Sequence, residues 1–279
     1  MTRAPLDRFA LGRQLTRLAN ASPREMLAHA GQGAGGPLAK RIGLTGAPGA
    51  GKSTLCGRLA IHRATAAGGE PRRLGVLAVD PSSPKSGGAI LGDRIRMDEL
   101  QGASEIYIRS LGSRSTSDGL SDNLAEMLDL MDQHGFDEVL LETVGVGQAE
   151  YAARVQVDTL VLVLLPDSGD AVQAMKAGIM EMADLFVVNK CDLPGAQRMA
   201  ADIQRIASLA RRAPGDWQPP VVLASDRQPE TLAAVSQAID GHQAWLADAG
   251  RRQALLLARA RYRLRRLLER RVDEVVRGL

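Results

Sequence analysis

Two cysteines in 279 residues, Cys56 and Cys191, leave no material for a disulfide framework. The four histidines, His29, His62, His134 and His242, are scattered, so no Cys/His group has zinc-ligand spacing. Aromatic side chains make up 3% of the chain, against a hydrophobic fraction of 45%, so aliphatics must fill the core. Long apolar runs are missing as well. The stretch Leu160 to Leu165 is strand-sized and far too short to span a bilayer. Met1-Thr2-Arg3-Ala4-Pro5-Leu6-Asp7 lacks the apolar centre of a secretory leader, and the expected location is the cytoplasm. Acid is scarce only at one end. From Gly250 to Leu279 ten arginines face Glu269, Asp273 and Glu274, a balance of +7. With a net charge of +3 overall, the rest of the chain carries −4, so the basicity belongs to the tail.

Against these absences stands one dense motif. Gly46-Ala47-Pro48-Gly49-Ala50-Gly51-Lys52-Ser53 fits G-x-x-x-x-G-K-[ST], the phosphate-binding loop. Ile42-Gly43-Leu44 precedes it as a buried strand, and Ser53-Thr54-Leu55 opens a helix, the context the motif requires. Glycines let consecutive backbone N–H groups turn inward on an anion, and the helix N-terminus adds partial positive charge. Lys52 is placed to reach the β- and γ-phosphates, and the Ser53 hydroxyl to sit on Mg²⁺.

From Lys40 to about Leu223 apolar strands alternate with helices. Strands are predicted at 40–45, 74–79, 105–109, 137–142, 158–165, 184–189 and 219–223, and helices at 52–66, 93–101, 119–134, 169–182 and 195–212. This alternation predicts an α/β fold with a mostly parallel sheet and helices on both faces. Ahead of it, Leu11, Leu15, Leu18 and Ala19 share one helical face, and Ser22-Pro23-Arg24-Glu25 reads as a capping box. Residues 1–36 are therefore a helical extension and linker, 37–225 the nucleotide domain, and 226–279 a C-terminal helical arm.

Ligand chemistry in such folds gathers at the carboxyl ends of the strands, and the polar motifs fall there. Asp80-Pro81-Ser82-Ser83-Pro84 opens a loop reaching Asp93, with hydroxyls and carboxylates suited to Mg²⁺ or a γ-phosphate. Glu142 ends an apolar strand, where a Walker-B acid belongs, and Thr143-Val144-Gly145 follows. Asn189-Lys190-Cys191-Asp192 lies about 140 residues beyond the phosphate loop, again at a strand end. N-K-x-D there decides the base. An aspartate accepts from guanine N1–H and the exocyclic amine, whereas adenine offers no such donor pair and leaves the acid unpaired. Ser225, after the next strand, is the candidate last guanine contact. GTP and GDP are thus the expected ligands.

Taken together, G-A-P-G-A-G-K-S-T, D-P-S-S-P-x-x-G-G-A-I-L-G-D-R-x-R-M, E-T-V-G-V-G-Q-A-E and G-D-x-x-Q-x-x-K-A-G-I-M-E-x-A-D-x-x-x-V-N-K-x-D resemble the MeaB/ArgK-type G proteins, relatives of the methylmalonic aciduria type A protein. The similarity spans roughly residues 40–195. Members are GTPase chaperones of adenosylcobalamin-dependent acyl-CoA mutases. The resemblance implies that Lys52, Ser53 and Thr54 hold phosphate and Mg²⁺, and that Asp80 and Glu142 complete the metal shell. It places Asp93 in a first mobile region as a metal or catalytic group, and Gly145 at the start of a second, beside the γ-phosphate. A third switch would match Asp170 to Gly178, with Lys176 moving toward the nucleotide when the mutase is bound. Asn189, Lys190 and Asp192 would read guanine. The chain departs from the pattern at Ser117-Asp118-Gly119-Leu120 and at Asp167, and Gln148 is the nearest candidate for orienting water.

The tail fits a helix of about 45 Å at roughly 1.5 Å per residue. Leu257, Leu264, Leu268, Val272, Val275 and Leu279 give it an apolar stripe. It reads as a dimer-forming helix, with packing on its own domain as the alternative; nucleic-acid binding is disfavoured because Tyr262 is the sole aromatic among the arginines. The functional expectation is a GTPase that chaperones a cobalamin-dependent acyl-CoA mutase and works as a homodimer, with neither nucleic acid nor membrane as partner. A metallochaperone-like GTPase, or an ATPase or kinase linked to transport, are the alternatives.

Overall fold

In the computed structural model, residues 4–29, 37–65, 72–81, 105–113, 123–143, 148–166, 178–209 and 213–278 are described. Seven short strands, β1 (Lys40–Thr45), β2 (Leu74–Pro81), β3 (Ile106–Ser113), β4 (Glu138–Glu142), β5 (Thr159–Leu164), β6 (Leu185–Val188) and β7 (Val221–Leu223), form one sheet. Its order is β3-β2-β4-β1-β5-β6-β7, and every pairing is parallel. Parallel strands need helical crossovers, so both faces are covered and the strand centres are apolar: all residues of β4, β5 and β6 are buried.

Period-2 alternation splits the core in two. On one face, Leu140 of β4 and Ile42 and Leu44 of β1 meet Leu55 and Leu59 of α3 (Lys52–Thr65). On the other, Val139 and Leu141 meet Met127 and Met131 of a later helix and Leu11 and Leu15 of α1 (Arg8–Asn20). Each fully buried aliphatic side chain contributes about 1.5–3 kcal/mol, so these layers carry the fold. After α1, α2 (Pro23–His29) starts on the expected capping box: the Ser22 amide donates to Glu25 Oε2 at 2.7 Å and the Glu25 amide to Ser22 Oγ at 3.3 Å.

Among the described residues, the helices beyond α3 are α4 (Leu124–Gln133), α5 (Gln148–Gln156), α6 (Ala196–Leu209), α7 (Thr231–Leu246) and α8 (Ala249–Arg277). The predicted helix 93–101 lies outside the described residues. Within the predicted helix 169–182, the described end is a 3-10 turn, Ile179–Glu181, preceded by Gly178 at φ 68°, a conformation an α-helix interior cannot contain. β3 continues to Ser113, past the predicted 109, because β2 pairs with it as far as Pro81. The short polar helix α5 has no counterpart in the sequence reading.

The segment after 225 begins with α7, whose Leu232, Val235 and Ile239 belong to the same core layer as β1 and β4. The amino-terminal edge of the sheet is tied by buried ion pairs. Arg63 of α3 makes a two-pronged contact with Glu138 of β4, both bonds 2.6 Å, and reaches Asp240 of α7 at 2.8 Å. Removing one partner of such a pair costs about 3–5 kcal/mol, because the other charge stays buried. α8 is strapped on by arginines, of which Arg259 alone makes a buried ion pair. Arg259 donates to Asp158 at 3.0 Å, Arg263 to Glu126 at 2.9 Å and Asp129 at 2.6 Å, and Arg270 to Asn123 at 2.6 Å. Arg259, Arg263 and Arg270 thus face the domain, and Leu257, Leu264, Leu268, Val272 and Val275 are left about half exposed.

Candidate nucleotide site

β1 lies mid-sheet between β4 and β5, and the chain leaves its carboxyl end through residues 46–51 into α3. Three glycines in this loop adopt positive φ, at 141° for Gly46 and 83° for both Gly49 and Gly51. At Gly46 a Cβ would stand 2.0 Å from the carbonyl oxygen of Val163 in β5, so the loop lies against the next strand. Lys52 is buried, and its ammonium donates to the carbonyls of Gly46 at 2.8 Å and Ala47 at 3.0 Å. Pro48 and Ala50 fill the loop between these glycines, and Ala50 is buried.

Ser53 Oγ donates to Glu142 Oε1 at 2.6 Å. Glu142 is brought there by register, since it pairs with Leu44 of β1 on one side and Ala78 of β2 on the other. A hydroxyl oxygen beside a carboxylate oxygen next to a phosphate loop is the donor chemistry of a hard divalent cation, so these two residues fit Mg²⁺. Asp80 lies two residues beyond Ala78 near the end of β2; its side chain is outside the described residues, as are Asp93, Gly145, Lys176 and Asp167. Gln148 opens α5, and its side chain is likewise outside them.

The residues expected to read the base gather on the other side of the loop. Asn189, buried at the end of β6, donates from Nδ2 to the Ala50 carbonyl at 2.8 Å. Lys190 adopts φ 53°, rare for a side-chain-bearing residue, and its Nζ donates to the Gly49 carbonyl at 3.2 Å. Asp192 Oδ1 accepts from Ser225 Oγ at 2.6 Å, which holds its carboxyl below the usual carboxylate range, with Arg227 adding a smaller pull. Ser225 is fixed in turn, because its amide donates to Thr231 Oγ1 at 3.1 Å. A pocket lined by Gly51, Thr54, Arg58, Asn189, Lys190 and Ser225, among others, lies between the two groups. Arg227 and the pocket-lining Arg58 and Asp226 were not singled out from the sequence, since no motif spacing marks them.

Both cysteines are poor nucleophiles here. Burial pushes the Cys56 thiol well up, and burial with the Asp192 charge raises Cys191. Among the described residues, no group of three or more His, Cys, Asp or Glu side chains could hold a metal ion, and no helix is long and apolar enough to cross a membrane.

A parallel sheet with this loop at its central strand and N-K-x-D two strands away defines a P-loop protein of the GTPase class. The chain belongs to the MeaB family: the family model described as methylmalonyl Co-A mutase-associated GTPase MeaB matches residues 11–278. Among relatives, a putative GTPase of Pyrococcus horikoshii is 40% identical over 212 residues, 75% of this chain and 66% of that protein. The mitochondrial methylmalonic aciduria type A homolog of Mus musculus is 42% identical over 204 residues, 71% of this chain and 48% of its own length. The chain therefore spans no more than two thirds of these two relatives. A crystal structure titled LAO/AO transport system kinase has a TM-score of 0.73 and 27% identity, covering 98% of this chain and 82% of that one. HypB from Helicobacter pylori, solved with nickel, shares the fold at a TM-score of 0.53 and 15% identity.

Proposed function

We propose that this protein hydrolyses GTP to GDP and phosphate and uses that cycle to chaperone an adenosylcobalamin-dependent acyl-CoA mutase. The observation that carries the nucleotide reading is the meeting of two motifs at one loop: Asn189 donates to Ala50, and Ser225 donates to Asp192 beside it. Asp192 accepts the N1–H and amine of guanine, Asn189 addresses the opposite base edge, and Lys190 and Ser225 position them. The backbone from Gly46 to Gly51 cradles the phosphates with Thr54 at the first helical turn, and Lys52 neutralises charge that grows on the β–γ bridging oxygen as water attacks the γ-phosphorus. Ser53 and Glu142, with Asp80 at the neighbouring strand end, would hold Mg²⁺, which when bound would supply positive charge against the phosphates. Asp93, Gly145 and Lys176 are assigned to the γ-phosphate side on the family pattern.

The mutase reading is supported by the family description and by the mouse relative's name. A homodimer is supported by the outward apolar stripe of α8. The cytoplasm remains the proposed location. To test the function, GTP and ATP turnover are measured alone and with candidate cobalamin-dependent acyl-CoA mutases. Slow GTP turnover that rises several-fold with one mutase is expected. Turnover unchanged by every mutase defeats the chaperone reading, and equal turnover of ATP defeats the guanine reading.

A further inference from the structure

The turn from Ser225 to Gln228 does more than hold Ser225. Ser225 and Gln228 form an isolated bridge, the Gln228 amide donates to the Ser225 carbonyl at 3.2 Å, and the Arg227 amide donates to Ser225 Oγ at 3.1 Å. Thr231 Oγ1 closes the turn from α7 by donating to the carbonyl of Gln228 at 2.6 Å. Arg227 leaves this rigid turn with its side chain 77% exposed, and it reaches back to Asp192 Oδ2 at 3.2 Å. The two carboxylate oxygens are thereby divided. Oδ1 takes the buried Ser225 hydroxyl, and Oδ2 takes the solvent-side guanidinium.

Guanine presents to a carboxylate its N1–H and C2 amine, joined through one carbon. That fragment is itself a guanidine, with parallel N–H donors spaced as in an arginine side chain. Arg227 and the guanine edge are therefore chemically alike, and both need Oδ2. Guanine's paired N–H groups take both carboxylate oxygens at once, so an Arg227 guanidinium seated on the pocket side of Oδ2 would have to move before the base could bind. The arginine contact is an ion pair at 3.2 Å from a well-solvated side chain, so guanine is able to displace it.

We propose that Arg227 is an internal competitor for the guanine-reading carboxylate and sets how fast and how tightly guanine nucleotides bind. The inference rests on Asp192 reading guanine. The fraction of molecules with Arg227 seated is unavailable to guanine, and the apparent dissociation constant rises by the inverse of the remainder. Pairs this exposed shift such equilibria by roughly two- to five-fold.

The test is stopped-flow and equilibrium binding of fluorescent GDP to the full chain and to Arg227→Ala, with Arg227→Gln as a second variant. Both variants are expected to bind roughly two- to five-fold tighter, chiefly through faster association. Added KCl screens the wild-type pair and should bring the two affinities together. In an Asp192→Asn background probed with xanthosine diphosphate, the advantage of Arg227→Ala should vanish. A wild-type protein that prefers GDP to ADP while its Arg227 variants bind GDP no tighter overturns the competitor. One that binds ADP as well as GDP overturns the guanine reading, and the competitor with it.

Discussion

At the scale of single residues, the phosphate loop depends on positions whose backbone conformation favours glycine. Gly49 and Gly51 share the same φ of 83°, yet their surroundings differ. A Cβ at Gly49 meets nothing within 4 Å, whereas one at Gly51 would stand 2.5 Å from Asn189 Nδ2. An L-residue in that conformation costs about 1–2 kcal/mol at either position. Gly51→Ala adds displacement of the amide that links the base motif to the phosphate loop. Gly49→Ala should therefore lower stability modestly and keep guanine preference, while Gly51→Ala loses at least about tenfold in GDP affinity over Gly49→Ala, a gap near 1.4 kcal/mol. Titration of both variants with labelled GDP, alongside thermal melts, checks this. Equal affinities would mean that Asn189 tolerates the added methyl and does not depend on the bare loop.

At the scale of elements, the least legible region was the amino-terminal edge of the sheet, where charged residues do structural work. Lys52, Ser53, Glu142, Asn189 and Asp192 could be found in the chain because nucleotide chemistry demands fixed residue types at strand ends. The pairing of Arg63 with Glu138, or of Arg259 with Asp158, follows no spacing and depends on which strands become neighbours. The same holds for the contact among β5, β6 and α7. His242 Nδ1 lies 2.9 Å from Thr159 Oγ1, and its Nε2 lies 3.4 Å from Asp184 Oδ1. Asp184 also accepts the Leu160 amide at 2.8 Å and Arg154 of α5 at 3.2 Å. Burial pushes the Asp184 carboxyl up to about 6 against the pull of Arg154. Burial, aided by Arg154, brings His242 down to about 4, while Asp158 works the other way. The two act in opposite senses. Asp184 is penalised for its charge above about pH 6 and is relieved as pH falls toward its ordinary value. His242 is unpenalised above its ordinary value and loses stability as pH falls through about 4. Between these limits they largely cancel. His242→Asn removes one side, so urea midpoints at pH 7.5 and pH 5 should show the variant gaining stability on acidification relative to wild type. Parallel pH profiles would show that the pair is not coupled in this way.

At the scale of the molecule, α8 poses a balance of forces. The sequence alone showed its stripe and its basicity but not which side faced the domain; the acids of α4 and the turn before β5 decide that by drawing in Arg263 and Arg259. Leu264, Leu268, Val272 and Val276 are 56%, 50%, 61% and 62% exposed and lie on the outside. Covering the rest of each side chain in a paired helix is worth about 1 kcal/mol, so one stripe offers about 4 kcal/mol and the two stripes of a dimer about 8 kcal/mol. Association costs about 4–15 kcal/mol in lost freedom, so the stripe alone supports only a weak dimer. Charge opposes it further, since the tail from Gly250 to Leu279 carries +7 and only part is answered by the domain. Salt should then strengthen self-association by screening that repulsion, the reverse of its effect on a pairing between opposite charges. Sedimentation equilibrium of the wild-type chain in 50 mM and 500 mM KCl should show dimer increasing with salt and protein concentration. Leu264→Lys with Leu268→Lys should abolish dimer at both salts and leave GDP binding intact, because the stripe contributes nothing to the phosphate loop. A wild-type chain that stays monomeric throughout, or a double variant that still pairs, would rule out α8 as the contact.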